Sequence, residues 1–310
     1  MPTPTIAFST RAARRAAQRG VTLIELMIGL ALGLLVVAVA VATFLVSRGV
    51  SGAVSDATGI QQQSAYALRL IGGQLRQAAS MRLSIPLDAA ATTSSTTDPM
   101  ALVAFETKSG NDSNAFDATT PASRAALLKG TTGTGPTLDT LTTGFARDQI
   151  QVFVSPSSAN PATMAVNCMG GPMDTPTNAG VMVVQSAFSV DSTKAELQCS
   201  GNGATAQPVI QNVANFKVRY LLQNTTATPG APQIQYVKAE DVTDPAQVQG
   251  VEVCLVLYGK EAISMPPGST YTDCDDTTQD MNDATLPAAR RSRMHMVFRN
   301  VFQLRSMGVM

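Results

Sequence analysis

A single carboxylate, that of Glu25, lies in an otherwise uncharged stretch of 27 residues from Val21 to Ser47. As a helix rising about 1.5 Å per residue, the stretch is roughly 40 Å long, which is enough to cross a bilayer. A charge inside such a segment costs about 2.5–3.5 kcal/mol on insertion scales and therefore usually marks a function. The residues before it include no acid and four arginines: Arg11, Arg14, Arg15 and Arg19. This basic flank predicts a cytoplasmic N-terminus and an exported C-terminal part.

The chemistry that Glu25 can provide is charge pairing, because a buried carboxylate must find a cation or a hydrogen-bond donor. A cut after Gly20 would create an amine at Val21, about 6 Å along a helix from the backbone of Glu25. If many copies stack with their helices staggered, Glu25 of one copy can meet the Val21 amine of its neighbour. Both charges are then compensated.

The run from Gly20 to Met27, a glycine followed by Val-Thr-Leu-Ile-Glu-Leu-Met, resembles the class III signal of type IV prepilins and pseudopilins. This resemblance implies that a prepilin peptidase cuts between Gly20 and Val21, that the amine of Val21 is methylated, and that Glu25 forms an assembly salt bridge. The family usually has phenylalanine where this chain has Val21. Two other interpretations of the apolar run are an ordinary single-pass anchor and a secretory signal cut near Ala40–Ala42. The second is disfavoured because the run exceeds the usual 7–15 residues.

Four cysteines lie beyond the apolar stretch, in the part that should reach an oxidising compartment: Cys168, Cys199, Cys254 and Cys274. Three pairings are possible. Pairing between sequence neighbours, Cys168 with Cys199 and Cys254 with Cys274, is favoured because each bond would close a short local excursion. A zinc site is the alternative, but the chain has no Cys-x-x-Cys motif and one histidine.

The other residues that could do chemistry favour structural roles. His295, the sole histidine, falls in a predicted strand. The segment Gly201-Asn-Gly-Ala-Thr-Ala matches a dinucleotide fingerprint formally, but it opens no convincing helix and is interpreted as a turn. An acidic run could bind calcium, yet it lacks the spacing and the glycine of an EF-hand, which favours a solvated loop. Its members are Asp273, Asp275, Asp276, Asp280 and Asp283. The sequence indicates no cofactor and no metal site.

The elements that position these residues begin with the helix. Apolar residues at three- and four-residue steps continue it past Ser47 to about Ser80, and Pro86 closes it. Two stretches rich in small polar residues, Asp88–Met100 and Lys108–Leu141, are predicted as loops. Seven segments are predicted as strands: Ala101–Thr107, Asp148–Ser155, Val181–Val190, Asn215–Leu222, Gln233–Ala239, Val251–Tyr258 and Arg293–Leu304. The prediction is an α+β fold, in which a long N-terminal helix with a membrane half and an amphipathic half packs on a mostly antiparallel, β-rich head.

The C-terminal third of the sequence makes the family resemblance more specific. Val213-Ala-Asn-Phe-Lys-Val-Arg-Tyr-Leu-Leu is followed by Gln249-Gly-Val-Glu-Val-Cys-Leu-Val-Leu-Tyr and by an arginine-rich strand that starts near Ala289. This order is similar to that of PilW-type minor pilins of type IV pili. A GspJ-type minor pseudopilin of type II secretion shares the signal and is the alternative. The resemblance implies four regions: a cleaved leader (1–20), the transmembrane and assembly half of the helix (21–47), its amphipathic half (48–82) and a periplasmic head (83–310).

The implied function is structural and not enzymatic: a minor pilin that helps initiate pilus assembly at or near the pilus tip. It would span the inner membrane once, with its head in the periplasm, and then enter the pilus. Implied partners are other minor pilins, the major pilin, the prepilin peptidase, the inner-membrane assembly platform and a large tip adhesin. A tip adhesin with ligand-binding Thr/Ser-rich loops is a second alternative, and the absence of a nucleophile–base constellation disfavours an enzyme. The leader holds four of the 22 basic residues, so the exported part has a net charge of about −4. This net negative charge argues against a nucleic-acid partner.

Overall fold

Helix α1 runs from Leu23 to Gln77 and contains both the apolar stretch and the striped segment that follows it. The protein was studied as a computed structural model, which describes residues 20–80, 83–84, 104–105, 108–109, 116–117, 124–134, 138–146, 150–151, 161–162, 166–171, 183–224, 233–263 and 265–304. The chain divides into two compact units, Met1–Ser51 and Gly52–Met310. The second half of α1 therefore belongs to the same unit as the strands.

The strands follow α1 in the second unit. In chain order they are β1 (Leu83–Ser84), β2 (Ala104–Phe105), β3 (Lys108–Ser109), β4 (Phe116–Asp117), β5 (Leu128–Thr131), β6 (Thr140–Ala146), β7 (Ile150–Gln151), β8 (Pro161–Ala162), β9 (Val183–Asp191), β10 (Glu196–Gly201), β11 (Gln207–Gln211), β12 (Val213–Asn224), β13 (Gln233–Val237), β14 (Val248–Tyr258), β15 (Thr270–Thr272), β16 (Thr278–Asp280) and β17 (His295–Gln303). Two short 3₁₀ helices, Ala239–Asp241 and Pro245–Gln247, connect β13 to β14.

Two antiparallel sheets dominate this unit. The first has five strands in the order β11-β10-β9-β6-β5, and the second has four in the order β13-β12-β14-β17. The pairs β1–β2, β3–β4, β7–β8 and β15–β16 are separate two-stranded sheets. Since all registered strand pairs are antiparallel, the predicted α+β class with a mostly antiparallel head is confirmed.

The main core lies where the second half of α1 packs on both sheets. Ile60, Ala67, Ile71 and Leu75 of the helix are at most 3 % exposed. They belong to one apolar cluster with side chains of both sheets, among them Phe188, Leu197, Phe216, Tyr220, Leu255 and Phe302. The three- and four-residue spacing of the apolar positions places them on one face, as the sequence predicted.

Strand β14 is buried on both of its faces. Val251, Val253 and Leu255 point into the main core, and the alternating Cys254, Val256 and Tyr258 form a second cluster with Tyr271 and Cys274. A strand covered on both faces needs an almost continuous apolar run, which is what the sequence has there.

The end of α1 is three residues earlier than predicted. Ala79 adopts a left-handed backbone with φ of 57°, and its N–H donates to the carbonyl oxygen of Gly144 at 2.8 Å. This bond to β6 replaces the helical hydrogen bond that would otherwise extend α1. The chain is thereby redirected at Ala79, well before Pro86.

The predicted strands are confirmed for β9, β12, β13, β14 and β17, with shifts of a few residues at their ends. The predicted loop at Lys108–Leu141 is wrong in both of its halves, because it contains β3 and β4 as well as β5 and the start of β6. Strands β10, β11, β15 and β16 were not predicted, since each is short and rich in polar residues. Of the predicted strands Ala101–Thr107 and Asp148–Ser155, only β2 and β7 lie within the described residues. The loop Asp88–Met100 and residues 1–19 lie outside them.

Candidate assembly site

The peptide bond between Gly20 and Val21 lies just outside the helix. Gly20, Val21 and Thr22 precede α1 and are exposed, and Val21 exposes 67 % of its surface. An exposed segment without helical hydrogen bonds is accessible to a protease. The predicted cleavage position and the predicted assembly carboxylate therefore lie within one short stretch, from Gly20 to Glu25.

Thr22 caps the helix, a role that the sequence reasoning missed. The backbone N–H of Glu25 donates to Thr22 Oγ1 at 3.4 Å, and the N–H of Leu26 donates to the carbonyl oxygen of Thr22 at 3.1 Å. Threonine followed three residues later by glutamate is the pattern of a capping box, which would have identified Thr22. The cap fixes where the helix begins and so places Glu25 in the first turn.

The Glu25 carboxylate has no ion pair with any residue in the described part of the chain. The large apolar side chains around it, from Val21 to Val46, are each more than half exposed. Within that part of the chain, α1 is the one helix long and apolar enough to cross a membrane, with a mean hydropathy of 2.7 in its most apolar window. Within the described residues, Glu25 is thus a carboxylate without an ionic partner on an exposed apolar surface.

The four cysteines form the two local disulfides that the sequence favoured. Cys254 on β14 is bonded to Cys274, and Cys168 is bonded to Cys199 on β10. The first bond fastens the segment with β15 and β16 over the outer face of β14, where Tyr271 and Cys274 cover the second cluster. With all four cysteines paired, no thiol is left to bind a metal.

A buried polar network joins α1 to the Cys168–Cys199 disulfide. The hydroxyl of Ser186 donates to Gln74 Oε1 at 2.9 Å and accepts from the N–H of Cys168 at 3.0 Å. Gln74 Nε2 donates to the carbonyl oxygen of Val166 at 3.3 Å. Gln74 and Ser186 gave no sequence signal, because their partners are distant in the chain.

Asp139 fastens the turn between β5 and β6 to the second sheet. Its carboxylate is almost completely buried and accepts from the N–H groups of Gly133 and Val218, each at 2.8 Å. Lys217 Nζ lies 3.2 Å from the same carboxylate. Burial, and secondarily the charge of Asp139, raises the pKa of the nearby Tyr220 hydroxyl.

His295 packs in the second cluster. Its ring is stacked on Tyr271, with centroids 4.5 Å apart and an angle of 7° between the planes. Nδ1 lies 2.9 Å from the carbonyl oxygen of Arg293, which can only accept, so Nδ1 carries the proton. Nε2 is buried and has no partner among the described residues. Burial lowers the pKa of His295 from 6.5 to about 4, and the ring is neutral near pH 7.

The acidic run does not converge on one point. Asp280 and Asp283 accept from the N–H groups of Asn282 and Thr285 in their own turns, and Asp276 pairs with Arg299 at 2.8 Å. In the described residues no group of three potential metal ligands occurs. The glycine-rich segment after Gly201 is a turn, as predicted, with positive φ at Asn202 and Gly203. It leads from β10 into strand β11 and opens no helix.

Comparisons with known proteins agree with this geometry. Residues 15–41 match the prokaryotic N-terminal methylation motif, which includes Gly20, Val21 and Glu25. Residues 183–306, from β9 to just beyond β17, match the family described as type IV pilus-assembly protein W. Together, these two matches support a type IV pilus minor pilin of the PilW type.

Among solved structures, the pilin is similar to a type IV-like pilin from Thermus thermophilus. The match has 15 % sequence identity and a TM-score of 0.29, and it covers 58 % of this chain and 86 % of the other. A search of curated proteins found no match. The matched family is described by a role in pilus assembly and not by a catalytic activity. The methylation motif and the apolar helix fit a single-pass pilin of the inner membrane.

Proposed function

We propose that this pilin helps initiate type IV pilus assembly and occupies a position at or near the pilus tip. The observation that carries the proposal is the carboxylate of Glu25, which has no ionic partner among the described residues and lies in the first turn of a helix whose large apolar side chains are each more than half exposed as far as Val46. Such a helix is stable only in lipid or among other helices of the same kind. The one charge of the apolar stretch from Val21 to Ser47 needs a partner from another molecule.

That partner is the amine of a neighbouring subunit. Prepilin peptidase cuts after Gly20 and the new amine of Val21 is methylated, which leaves it positively charged. Glu25 of one subunit then pairs with the mature N-terminus of the next. Pairing removes an isolated charge from an apolar environment on both molecules, and each unpaired charge costs several kcal/mol there. Only helices at the correct stagger form the pair, and Glu25 therefore sets the register of assembly.

The topology follows from the same segment. Residues 1–20 are the leader, 21–47 hold the subunit in the inner membrane, 48–82 support the head, and 83–310 form a periplasmic head. The assembly platform then extracts the subunit into a pilus. There it contacts other minor pilins, the major pilin and a large tip adhesin. The match to a pilus-assembly family supports a pilus over a secretion pseudopilus.

The test replaces Glu25 in the full-length chain, expressed from its own gene in piliated cells. Glu25→Ala should be processed and should reach the membrane at the wild-type level, yet its amount in sheared pili should fall at least about tenfold. Loss of about 1.4 kcal/mol in association is sufficient for that change, and a broken buried ion pair costs more. Thr43→Ala is the matched control, because it removes a polar group from the same apolar helix without removing a charge.

Three outcomes would contradict the proposal. If Glu25→Ala entered pili at the wild-type level, the salt bridge would have no role in incorporation. A Gly20→Arg variant that is still trimmed correctly would overturn the cleavage site, because that variant should accumulate as the longer precursor. Immunogold labelling spread along the whole pilus, rather than at its end, would contradict the tip position.

A further inference from the structure

A groove runs along the second half of α1, between the helix and β17, the edge strand of the four-stranded sheet. Leu68, Gly72 and Phe302 line its floor, and Arg69, Arg76 and Asn300 line its rim. Its volume is about 350 Å³. It continues along β17 past Val301 and Gln303. All of these residues belong to the second compact unit.

The floor of the groove is shaped by a close approach of helix and strand. A Cβ atom on Gly72 would lie 2.3 Å from Cε1 of Phe302, so only glycine lets the ring sit against the helix backbone. Phe302 as a whole is 6 % exposed. Next to it on β17, Val301 is 45 % exposed, and among the described strands β17 has a neighbour on one side only, β14. The groove therefore combines an apolar floor with an unpaired strand edge.

The rim of the groove is basic. Arg69 and Arg76 are exposed and make no ion pair with a residue that the structure describes, and no carboxylate of those described residues lines the groove. By contrast, Arg299 on the opposite face of β17 pairs with Asp276 at 2.8 Å. Arg76 lies in the last helical turn, where its positive charge interacts favourably with the helix dipole. Arg69 lies seven residues earlier, too far from the helix end for this interaction to stabilise its charge.

We propose that this groove binds an acidic segment of a neighbouring pilus subunit. Two of its carboxylates pair with Arg69 and Arg76, and an apolar side chain between them contacts Phe302 and Leu68. Seven residues of helix span about 10 Å, so the two carboxylates lie about that far apart. Arginine forms bidentate pairs with carboxylates, which gives the contact its orientation. This inference rests on the proposed function, because it requires a chain that assembles with other subunits.

The experiment uses the full-length pilin in piliated cells, with a photo-crosslinking amino acid at Asn300 on the groove rim. The same amino acid at Gln235, on the exposed strand β13 at the other edge of the sheet, is the control position. Crosslinked peptides from pili and membranes are identified by mass spectrometry. The expected product joins position 300 to an Asp- or Glu-containing peptide of another pilus subunit, and position 235 does not yield that peptide.

Charge reversal then tests the arginines. In Arg69→Glu/Arg76→Glu the yield of that product should fall at least about tenfold, and Arg69→Gln/Arg76→Gln should reduce it to a smaller degree. Lys129→Glu, an exposed position on β5 far from the groove in sequence, should leave the yield unchanged. Normal processing and disulfide formation in each variant show that the head has folded.

Several results would overturn the inference. A crosslink from position 300 to another part of the same chain would mean that this chain covers its own groove. A crosslink to lipid, or to a peptide without acidic residues, would remove the proposed partner. If the yield of the crosslinked product were unchanged in Arg69→Glu/Arg76→Glu, the proposed pairing with an acidic partner would also be contradicted. If wild-type protein enters pili and position 300 gives no crosslink, only this inference fails. If wild-type protein never enters pili, the proposed function fails as well.

Discussion

Replacing Gly72 by alanine should destabilise the head, although alanine is the better helix former. Within a helix, alanine in place of glycine contributes about 1 kcal/mol of stability. At Gly72, however, the new Cβ would lie 2.3 Å from Cε1 and 2.9 Å from Cδ1 of Phe302. Carbon atoms in contact normally stay about 3.5–4.0 Å apart, so the ring or the helix must move. Overpacking of this kind costs about 1–3 kcal/mol.

The neighbouring glycine supplies a matched control. A Cβ at Gly73 meets nothing within 4 Å, so Gly73→Ala gains the helix propensity without a clash. Because both substitutions share the propensity gain, the difference between them isolates the clash, at about 1–3 kcal/mol. For a unit of this size, that difference corresponds to roughly 2–12 °C in Tm. The full-length pilin in detergent is suitable for the measurement, and tyrosine fluorescence is the probe because the chain has no tryptophan.

We therefore expect Gly73→Ala to be more stable than wild type, and Gly72→Ala to be less stable than Gly73→Ala. Phe302→Leu replaces the ring with a smaller side chain. In that background, most of the Tm difference between the two alanine variants should disappear. Equal Tm values for Gly72→Ala and Gly73→Ala would refute the close packing of α1 on β17. So would a difference that persists in the Phe302→Leu background.

Two further predictions concern buried polar groups of the head. Asp139→Asn should cost about 2–4 kcal/mol of unfolding free energy in urea titrations, since it leaves Lys217 without its ion pair and turns an amide donor toward two N–H groups. Glu240→Gln, which breaks the exposed 3.8 Å pair with Lys238, should cost less than about 1 kcal/mol, and equal costs would contradict this assignment. Because burial lowers the pKa of His295 to about 4 from 6.5, the unfolded chain takes up a proton first as the pH falls. His295 should therefore contribute full stability above pH 6.5 and progressively less toward pH 4. Unfolding curves of wild type and His295→Gln should diverge in that window, and parallel curves would argue against a buried neutral ring.

The sequence predicted those parts of the fold that have long-period or continuous hydrophobic patterns. The helix was located within three residues at each end, and β14 was visible because both of its faces are buried. Strands β5, β10 and β11 escaped prediction. They are short, and Thr, Gln and Gly separate their few buried residues, such as Leu128, Leu197 and Ile210. For strands of this kind, burial is decided by neighbours that are distant in sequence.

The candidate sites likewise divide into those that can be found in the sequence and those that form only when distant segments come together. Glu25 and Gly20 could be singled out without coordinates, because one charge in an apolar stretch and a glycine at its border are local features of the chain. The groove between α1 and β17 could not be, since Arg69 and Phe302 are more than 230 residues apart in the sequence. The same holds for the carboxylate of Asp139 and the amide of Gln74, whose partners come from other strands.

The amino-acid sequence by itself determined the membrane-length helix, its single carboxylate and the cysteines available for pairing, because these depend on composition and spacing along one segment. Only the tertiary structure decided where the helix ends, which strands are sheet edges and which arginines lack an acid beside them within the described chain. Those features depend on distances between segments that the chain brings together when it folds, and hydrophobic periodicity does not encode them.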